Sequence, residues 1–374
     1  MKNKFFLLSI LVVLTSCGSR NSSSLSSVST SLNQSSISSS NENSVSSSSL
    51  VMNTTSSKKE EKLQTRIIAC SDFQAKTGNF ASQENMMDIL EVMEDDGIDE
   101  ADAFFCCGDY DYEYSDTEEG ISALVDLMSG YVLEDNMIFV QGNHDEIESG
   151  TGGLSLSGNN DPLDGEYGVF VINEDDYMWY NDKEDVVKNT ANQLKIYLDE
   201  KIKEEYSKPI FVLSHLSLHY SMRTYYDGDG MYAKYIYDEI DKAALNGLNI
   251  IFMYGHNHSN GWDDYLGGAS VFLNKGDSIL ISDGTKYKYE TYTLNFTYMN
   301  AGYVGYYGYV NEGADSTLTM SVIDIYESKV EFNRYSKDGL HNLKSEGVRN
   351  SFKSEFQYEP NLTIYPSPQI ITLS

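Results

Sequence analysis

The chain has six histidines, and five of them fall in three short polar segments. These read "GNHD" with Asn143, His144 and Asp145, "SHLSLH" with His215 and His219, and "GHNH" with His256 and His258. Two further segments carry carboxylates: "SDFQ" with Asp72 and Gln74, and "GDYD" with Asp109 and Asp111. Residues two apart on an extended chain point to the same side. Asp72 and Gln74 can therefore face one point, and so can His256 and His258. Carboxylates, imidazoles and amide oxygens together suit a borderline divalent ion such as Mn²⁺, Fe²⁺ or Zn²⁺. There are too many such side chains for one tetrahedral ion, so two ions sharing a carboxylate fit better.

Positioning such a set requires elements that end at the same place. Apolar runs precede every segment: "TRIIACSD" before Asp72, "ADAFFCCGD" before Asp109, "NMIFVQGNHD" before Asn143, "KPIFVLSH" before His215 and "LNIIFMYGHNH" before the histidine doublet. Each reads as a strand, with "YGVFVIN" as a further one. Helical periodicity lies between them. Residues 82–95 predict a helix capped by Ser82, with Met86, Ile89, Leu90 and Met93 on one face. Residues 118–130, 189–207 and 232–247 predict others. Beyond Gly261 the pattern turns β-rich and tyrosine-rich. Strand–helix alternation implies an α/β protein; the late strands require an antiparallel extension or a second antiparallel sheet. Polar groups at strand ends form the crevice where open sheets hold ligands.

Other polar features read more plainly. His341 reads as surface, and Asp111 as surface or as a support behind the ligands. His219 either approaches a substrate or packs in its loop. "YYDGDG", with Asp227 and Asp229, reads as a Gly-rich acidic turn rather than an ion site. Trp262 and Tyr265 read as packing residues rather than a stacking platform, and the run "YVGYYGYV" as strand.

The formal net charge is -31, so sequence-independent phosphate binding to nucleic acid is disfavoured. The first residues form a basic start, Lys2 and Lys4, then an apolar stretch from Phe5 to Val13, then "LTSC" ending at Cys17. This resembles a bacterial lipoprotein signal and implies cleavage before Cys17 with a lipid on that thiol. Residues 1–16 are then a signal peptide. Residues 17–60 are a serine-rich tether that cannot bury enough apolar surface to fold. A flexible chain of that length reaches ~35 Å. Residues 61–340 form the globular domain, and 341–374 a weakly patterned C-terminal tail. Cys70, Cys106 and Cys107 lie in or beside strands and read as buried free thiols.

Taken in order, D-x-Q, G-D, G-N-H-D, a strand-terminal His and G-H-x-H resemble the calcineurin-like metallophosphoesterase family over about residues 64–335. The resemblance implies a four-layer αββα sandwich of two mixed β-sheets flanked by helices, with the site on loops at the strand ends. It implies that Asp72, Gln74 and His258 hold one metal, that Asn143, His215 and His256 hold the other, and that Asp109 bridges both. It places His144 beside a substrate phosphate, oriented by Asp145. The implied activity is hydrolysis of a phosphomonoester or phosphodiester by a hydroxide shared between two divalent ions, Mn, Fe or Zn.

Two positions depart from the family's pattern. Gln74 stands where a histidine is most common, and Tyr112 where an acidic residue is frequent. The expected partners are a small-molecule or polymer phosphoester and, through the N-terminal lipid, the outer face of a membrane; no feature fixes an oligomeric state. The alternative is a surface lipoprotein that keeps the metal pocket as a binding module.

Overall fold

The computed structural model describes residues 61–374 apart from 77, 112–116, 146–153, 164, 175–183, 222, 225–227, 259–270, 286, 306–317 and 346–362. The signal segment, Cys17, the serine-rich stretch, Tyr112, Asp227, Trp262, Tyr265 and most of the tyrosine run lie outside the described residues.

The strands before the polar segments are apolar on both faces because both faces are covered. In β1 (Thr65–Cys70), Ile67 and Ala69 point into one core while Ile68 and Cys70 point into another. β1 pairs in parallel with β2 (Ala103–Cys106), which pairs in parallel with β3 (Met137–Phe139). A second sheet starts with β4 (Gly158–Asn159), antiparallel to β5 (Gly168–Ile172). It continues in parallel through β6 (Pro209–Ser214), β7 (Asn249–Tyr254) and β11 (Thr297–Asn300), and closes with the antiparallel β8 (Phe272–Leu273). The late strands divide among three arrangements. β9 (Ser278–Ser282) and β10 (Tyr289–Thr293) form a separate hairpin. β12 (Gly302–Tyr303), β13 (Thr319–Ile325), β14 (Lys329–Ser336) and β15 (Gly339–Leu340) extend the first sheet with antiparallel pairing next to β1. β16 (Leu343–Ser345) and β17 (Thr363–Tyr365) pair with each other.

Among the described residues, four helices cover the outer faces. α1 (Ala81–Asp95) and α2 (Thr117–Met128) bury Met86, Ile89, Leu90, Met93 and Leu124 against the first sheet. α3 (Glu184–Lys203) and α4 (Ala233–Leu245) bury Val187, Leu194, Ile236 and Ile240 against the second. Between the sheets lies an apolar layer that includes Phe105, Phe211, Leu213, Ile251 and Phe332. The result is the expected αββα sandwich. Truncating one of the central aromatics costs about 3–5 kcal/mol.

The structure changes several local expectations. Ser82 does not cap α1; Asn79 Oδ1 accepts the Ala81 N–H at 2.9 Å, and the buried Ser82 hydroxyl instead donates to the Gln74 carbonyl at 3.3 Å. α3 begins at Glu184, ahead of the predicted start, and stops at Lys203. The expected 341–374 tail re-enters the main fold. Its last strand, β18 (Gln369–Thr372), pairs antiparallel with β14, and Ile371 and Leu373 pack on the inter-sheet layer while Ile370 faces out. Alternation over so short a segment is too brief to register as a pattern. His341 is not a surface residue: it is part-buried and its N–H donates to the Arg334 carbonyl at 2.7 Å. The three described cysteines are buried free thiols, with Cys70 and Cys106 Sγ 3.9 Å apart across paired strands.

Candidate metal centre

The polar segments lie just past the C-terminal ends of parallel strands in both sheets, and both sheets deliver them to the same end of the sandwich. Past β1 come Asp72 and Gln74; past β2, Asp109; past β3, Asn143 to Asp145. The second sheet supplies His215 after β6 and His256 and His258 after β7. The chain turns sharply as it leaves each strand. Asp72, Gln74, Asp109 and His256 have φ of 54°, 50°, 57° and 67°. Among the described residues, Glu205 at the end of α3 is the other non-glycine with positive φ. Left-handed backbone costs a residue with a Cβ roughly 1–2 kcal/mol. Its concentration at these positions marks strain held for side-chain placement. Gly108 and Gly142 allow the loops to interlock. A Cβ on Gly142 would lie 2.4 Å from the Asp109 nitrogen, and one on Gly108, at φ +91°, would lie 2.5 Å from His215 Nδ1.

The ligand-type atoms converge in two groups with one shared member. Asp109, His215 and His256 form one, and Asp72, Asp109 and His258 the other, with the ligand atoms of each group within 4.8 Å of one another. In the first group, His215 Nε2 is 3.2 Å from Asp109 Oδ1, 3.0 Å from Asn143 Oδ1 and 3.2 Å from His256 Nδ1. His215 Nδ1 is 2.6 Å from the Cys107 carbonyl, so that nitrogen carries the proton and donates. Four electron-pair donors, one carboxylate, one amide and two imidazoles, therefore face a single point. Such a cluster requires a positive charge at its centre, a proton or a metal ion. In the second group, His258 Nε2 is 2.9 Å from Asp72 Oδ1 and 3.3 Å from Gln74 Nε2. The His258 ring stacks on Tyr303, centroids 4.7 Å apart and planes 2° apart.

Two buried acceptor atoms, Asp109 Oδ2 and Gln74 Oε1, have no hydrogen-bond partner among the described residues. Leaving a buried acceptor unsatisfied costs ~1–3 kcal/mol. A bound cation would remove that cost, so the residues present fit divalent ions. Electrostatics agree. Burial alone would raise the Asp109 carboxyl, but His215 and then His144 outweigh it and hold it below the usual carboxylate range. Burial opposes charge on His215, yet Asp109 and then Asp72 push it up to about 10. Burial, followed by Arg223 and the neighbouring histidines, pushes His256 well down, leaving that ring neutral with a lone pair to give.

Asp145, expected to orient the His144 ring, binds backbone on two loops. Its carboxylate accepts backbone N–H groups from Gly142 at 2.7 Å, Asp109 at 2.9 Å and Tyr110 at 2.8 Å. It clamps the "GNHD" loop to the Asp109 loop. The His144 N–H then donates to Asp109 Oδ1 at 3.0 Å. Burial and the Asp109 carboxylate push the Asp145 carboxyl up to about 7, against three donors that favour its charge.

His219 packs in its loop, with Nδ1 2.7 Å from the Tyr298 hydroxyl and Nε2 3.4 Å from Asn257 Nδ2. Asp111 is buried, not on the surface, in a bridge between its backbone and Ala75. Sequence reasoning missed three contributors. Tyr303 gave no signal beyond belonging to a tyrosine-rich run. The Cys107 carbonyl gave none, being backbone. Asp229, read as part of a Gly-rich acidic turn, is 4% exposed with Oδ2 3.0 Å from His256 Nε2. The glycines flanking it were the available signal.

Residues 65–260 match the model of the calcineurin-like phosphoesterase family. Among solved structures, a dimetal phosphatase from Danio rerio is similar at 9% identity and a TM-score of 0.44, covering 75% of this chain and 99% of that one. A predicted phosphoesterase from Streptococcus pneumoniae gives 14% identity and a TM-score of 0.30, covering 81% and 97%. The anchor of the inner membrane complex of Plasmodium gives 11% and 0.42, covering 79% and 91%. Comparison with curated protein sequences returns no match.

Proposed function

We propose, from the premise that this chain belongs to the calcineurin-like phosphoesterase family, that it hydrolyses a phosphoester outside the cytoplasm with a pair of divalent ions. The observation that carries the two-ion reading is the membership of Asp109 in both ligand groups, with its Oδ2 otherwise unsatisfied. Asp72, Gln74 and His258 would hold one ion, and Asn143, His215 and His256 the other, with Asp109 between them. Gln74, whose Nε2 stands 3.3 Å from His258 Nε2, would offer Oε1 after a half-turn of its amide. When bound, such a pair lowers the pKa of a water and neutralises phosphoryl charge.

The chain's own groups prepare that chemistry. The Cys107 carbonyl fixes the His215 tautomer, so Nε2 offers its lone pair. Tyr303 holds the His258 ring edge toward Asp72. Asp145 ties three backbone amides together, which sets the distance between Asp109 and the His144 loop. His144, part-buried and tied to Asp109 through its backbone N–H, would give a proton to the leaving oxygen.

The N-terminal pattern supports anchoring through a lipid on Cys17, with residues 17–60 as spacer. No helix among the described residues is long and apolar enough to cross a membrane. Loss of palmitate labelling in Cys17→Ala tests the anchor.

Hydrolysis of nitrophenyl phosphate and bis-nitrophenyl phosphate by protein loaded with Mn²⁺, Fe²⁺ or Zn²⁺ tests the activity and separates monoesterase from diesterase. Turnover that chelation abolishes supports the proposal. Two bound ions with no turnover on either ester would favour the binding-module alternative.

A further inference from the structure

We propose that Asp229 is a positioning residue of the metal centre: its carboxylate accepts the Nε2–H of His256 and so holds Nδ1 of that ring, unprotonated, toward the ion shared with Asn143 and His215. The inference rests on the two-ion reading and goes beyond it, because Asp229 touches no ion itself.

An imidazole's two nitrogens diverge, so only one can face a ligand cluster. In His256 the division is clear: Nδ1 is 3.2 Å from His215 Nε2, inside the cluster, and Nε2 is 3.0 Å from Asp229 Oδ2, outside it. The neutral ring carries one proton, and the nitrogen facing the carboxylate holds it. A neutral imidazole in water exchanges its proton between both nitrogens. Without a fixed acceptor, part of the population would point an N–H at the ion.

The turn around Asp229 is shaped to deliver this side chain inward. Gly228 and Gly230 have φ of 90° and 65°, and the Gly228 N–H lies near both the Arg223 and Thr224 carbonyls at 3.1 Å. Glycine on both sides lets the backbone reverse twice, so the intervening residue is buried rather than displayed. Burying a carboxylate costs several kcal/mol unless it is hydrogen-bonded. A turn that needed only an acidic surface residue would not incur that cost.

The two histidines of this group are thus locked in different ways. His215 is held by the Cys107 carbonyl, which no side-chain substitution removes. His256 is held by a carboxylate, which also makes the ring a stronger donor. The Asp229 lock, unlike the carbonyl, can be opened by mutation, and it adds negative charge behind the ligand.

The test uses the purified protein and two variants, Asp229→Asn and Asp229→Ala, with folding checked by circular dichroism. Mn²⁺ titration gives stoichiometry and affinity. Long-range ¹H–¹⁵N spectra of the metal-free protein report the His256 tautomer. Wild type should bind two Mn²⁺ and show His256 protonated at Nε2. Asp229→Ala should weaken one of the two ions by about 10–100-fold and mix the tautomers. Asp229→Asn, whose amide oxygen can still accept the N–H, should keep the tautomer and lose less affinity. Folded variants that bind both ions as wild type does, with the tautomer unchanged, overturn the role of Asp229 alone. If Asp229→Ala does not fold, Asp229→Leu, similar in shape to aspartate but with no acceptor, takes its place: affinity and tautomer equal to wild type overturn the proposal. Wild type that binds no Mn²⁺ overturns the two-ion reading itself, and this inference with it.

Discussion

The half of the site built from Asn143, His215 and His256 keeps both imidazoles buried and gives each a fixed partner behind the ring. The half built from Asp72, Gln74 and His258 is the more open one at its histidine, whose side chain is 15% exposed, and it has a single imidazole, backed by a stacked tyrosine; each half carries one amide. Outer partners of a ligating histidine contribute ~10–100-fold to metal affinity. A neutral amide oxygen is a weaker donor than imidazole toward borderline ions. The difference teaches that two ion sites built on these groups would be unequal, although they share one carboxylate. The buried half should retain its ion, and the open half should exchange it.

Removing the shared carboxylate should erase that contrast and have the largest effect. Asp109→Ala takes a ligand from both halves. Both ions should leave, and hydrolysis should fall on the order of 10³-fold or more, since metal polarisation supplies several kcal/mol; metal analysis and nitrophenyl ester assays read both.

His144→Ala leaves every ligand in place. It should keep two ions and lose ~10²–10⁴-fold in turnover. Wild-type turnover would remove the proton-donor role.

The halves can then be broken separately. His215→Ala should release the tightly held ion. Gln74→Ala should loosen the other, and Gln74→His should tighten it by about tenfold, shrinking the gap between the two dissociation constants. Equal affinities in wild type would contradict the inequality.

Proton linkage sharpens the contrast further. In the metal-free protein His215 is raised to about 10, so its contribution to stability is fully present below the unfolded value of ~6.5. That contribution fades as pH rises through about 10. Asp109, depressed, contributes stability present above ~3.9 and lost as acid is added. An ion entering the buried half must displace the His215 proton. Its affinity should climb with pH up to about 10, by at most about tenfold per unit. Proton release measured in two buffers of different ionisation enthalpy checks this. The smallest effect is expected from Tyr303→Leu, which removes a stacked face but no ligand and should loosen the open half only a few-fold.

The strands and the polar residues that converge at their ends could be read in the sequence because they share one signal. An apolar run buried on both faces ends abruptly in Asp, Asn or His, as after Cys70, Cys106 and Tyr254. What could not be read lies in groups whose role depends on turns. Asp229 looks like any acidic turn residue until Gly228 and Gly230 fold it inward. Ser82 has the type and position of a helix cap, yet its hydroxyl turns to the Gln74 carbonyl. Tyr303 becomes a support for His258 through β12 pairing, which joins it to β13 far along the chain. The β18 strand is too short to show period-2 alternation against its surroundings. The left-handed backbone at Gln74 is invisible for a simpler reason: glutamine does not favour it, and side-chain chemistry prevails over propensity there.

The most direct test is a crystal of the protein soaked with Mn²⁺ and measured at wavelengths where manganese scatters anomalously. A centre bridged by Asp109 predicts two peaks about 3.5–4 Å apart, one on each side of that carboxylate, with the peak beside His215 and His256 filling first at limiting ion. A single peak, no peak, or a pair from which Asp109 is remote would contradict it.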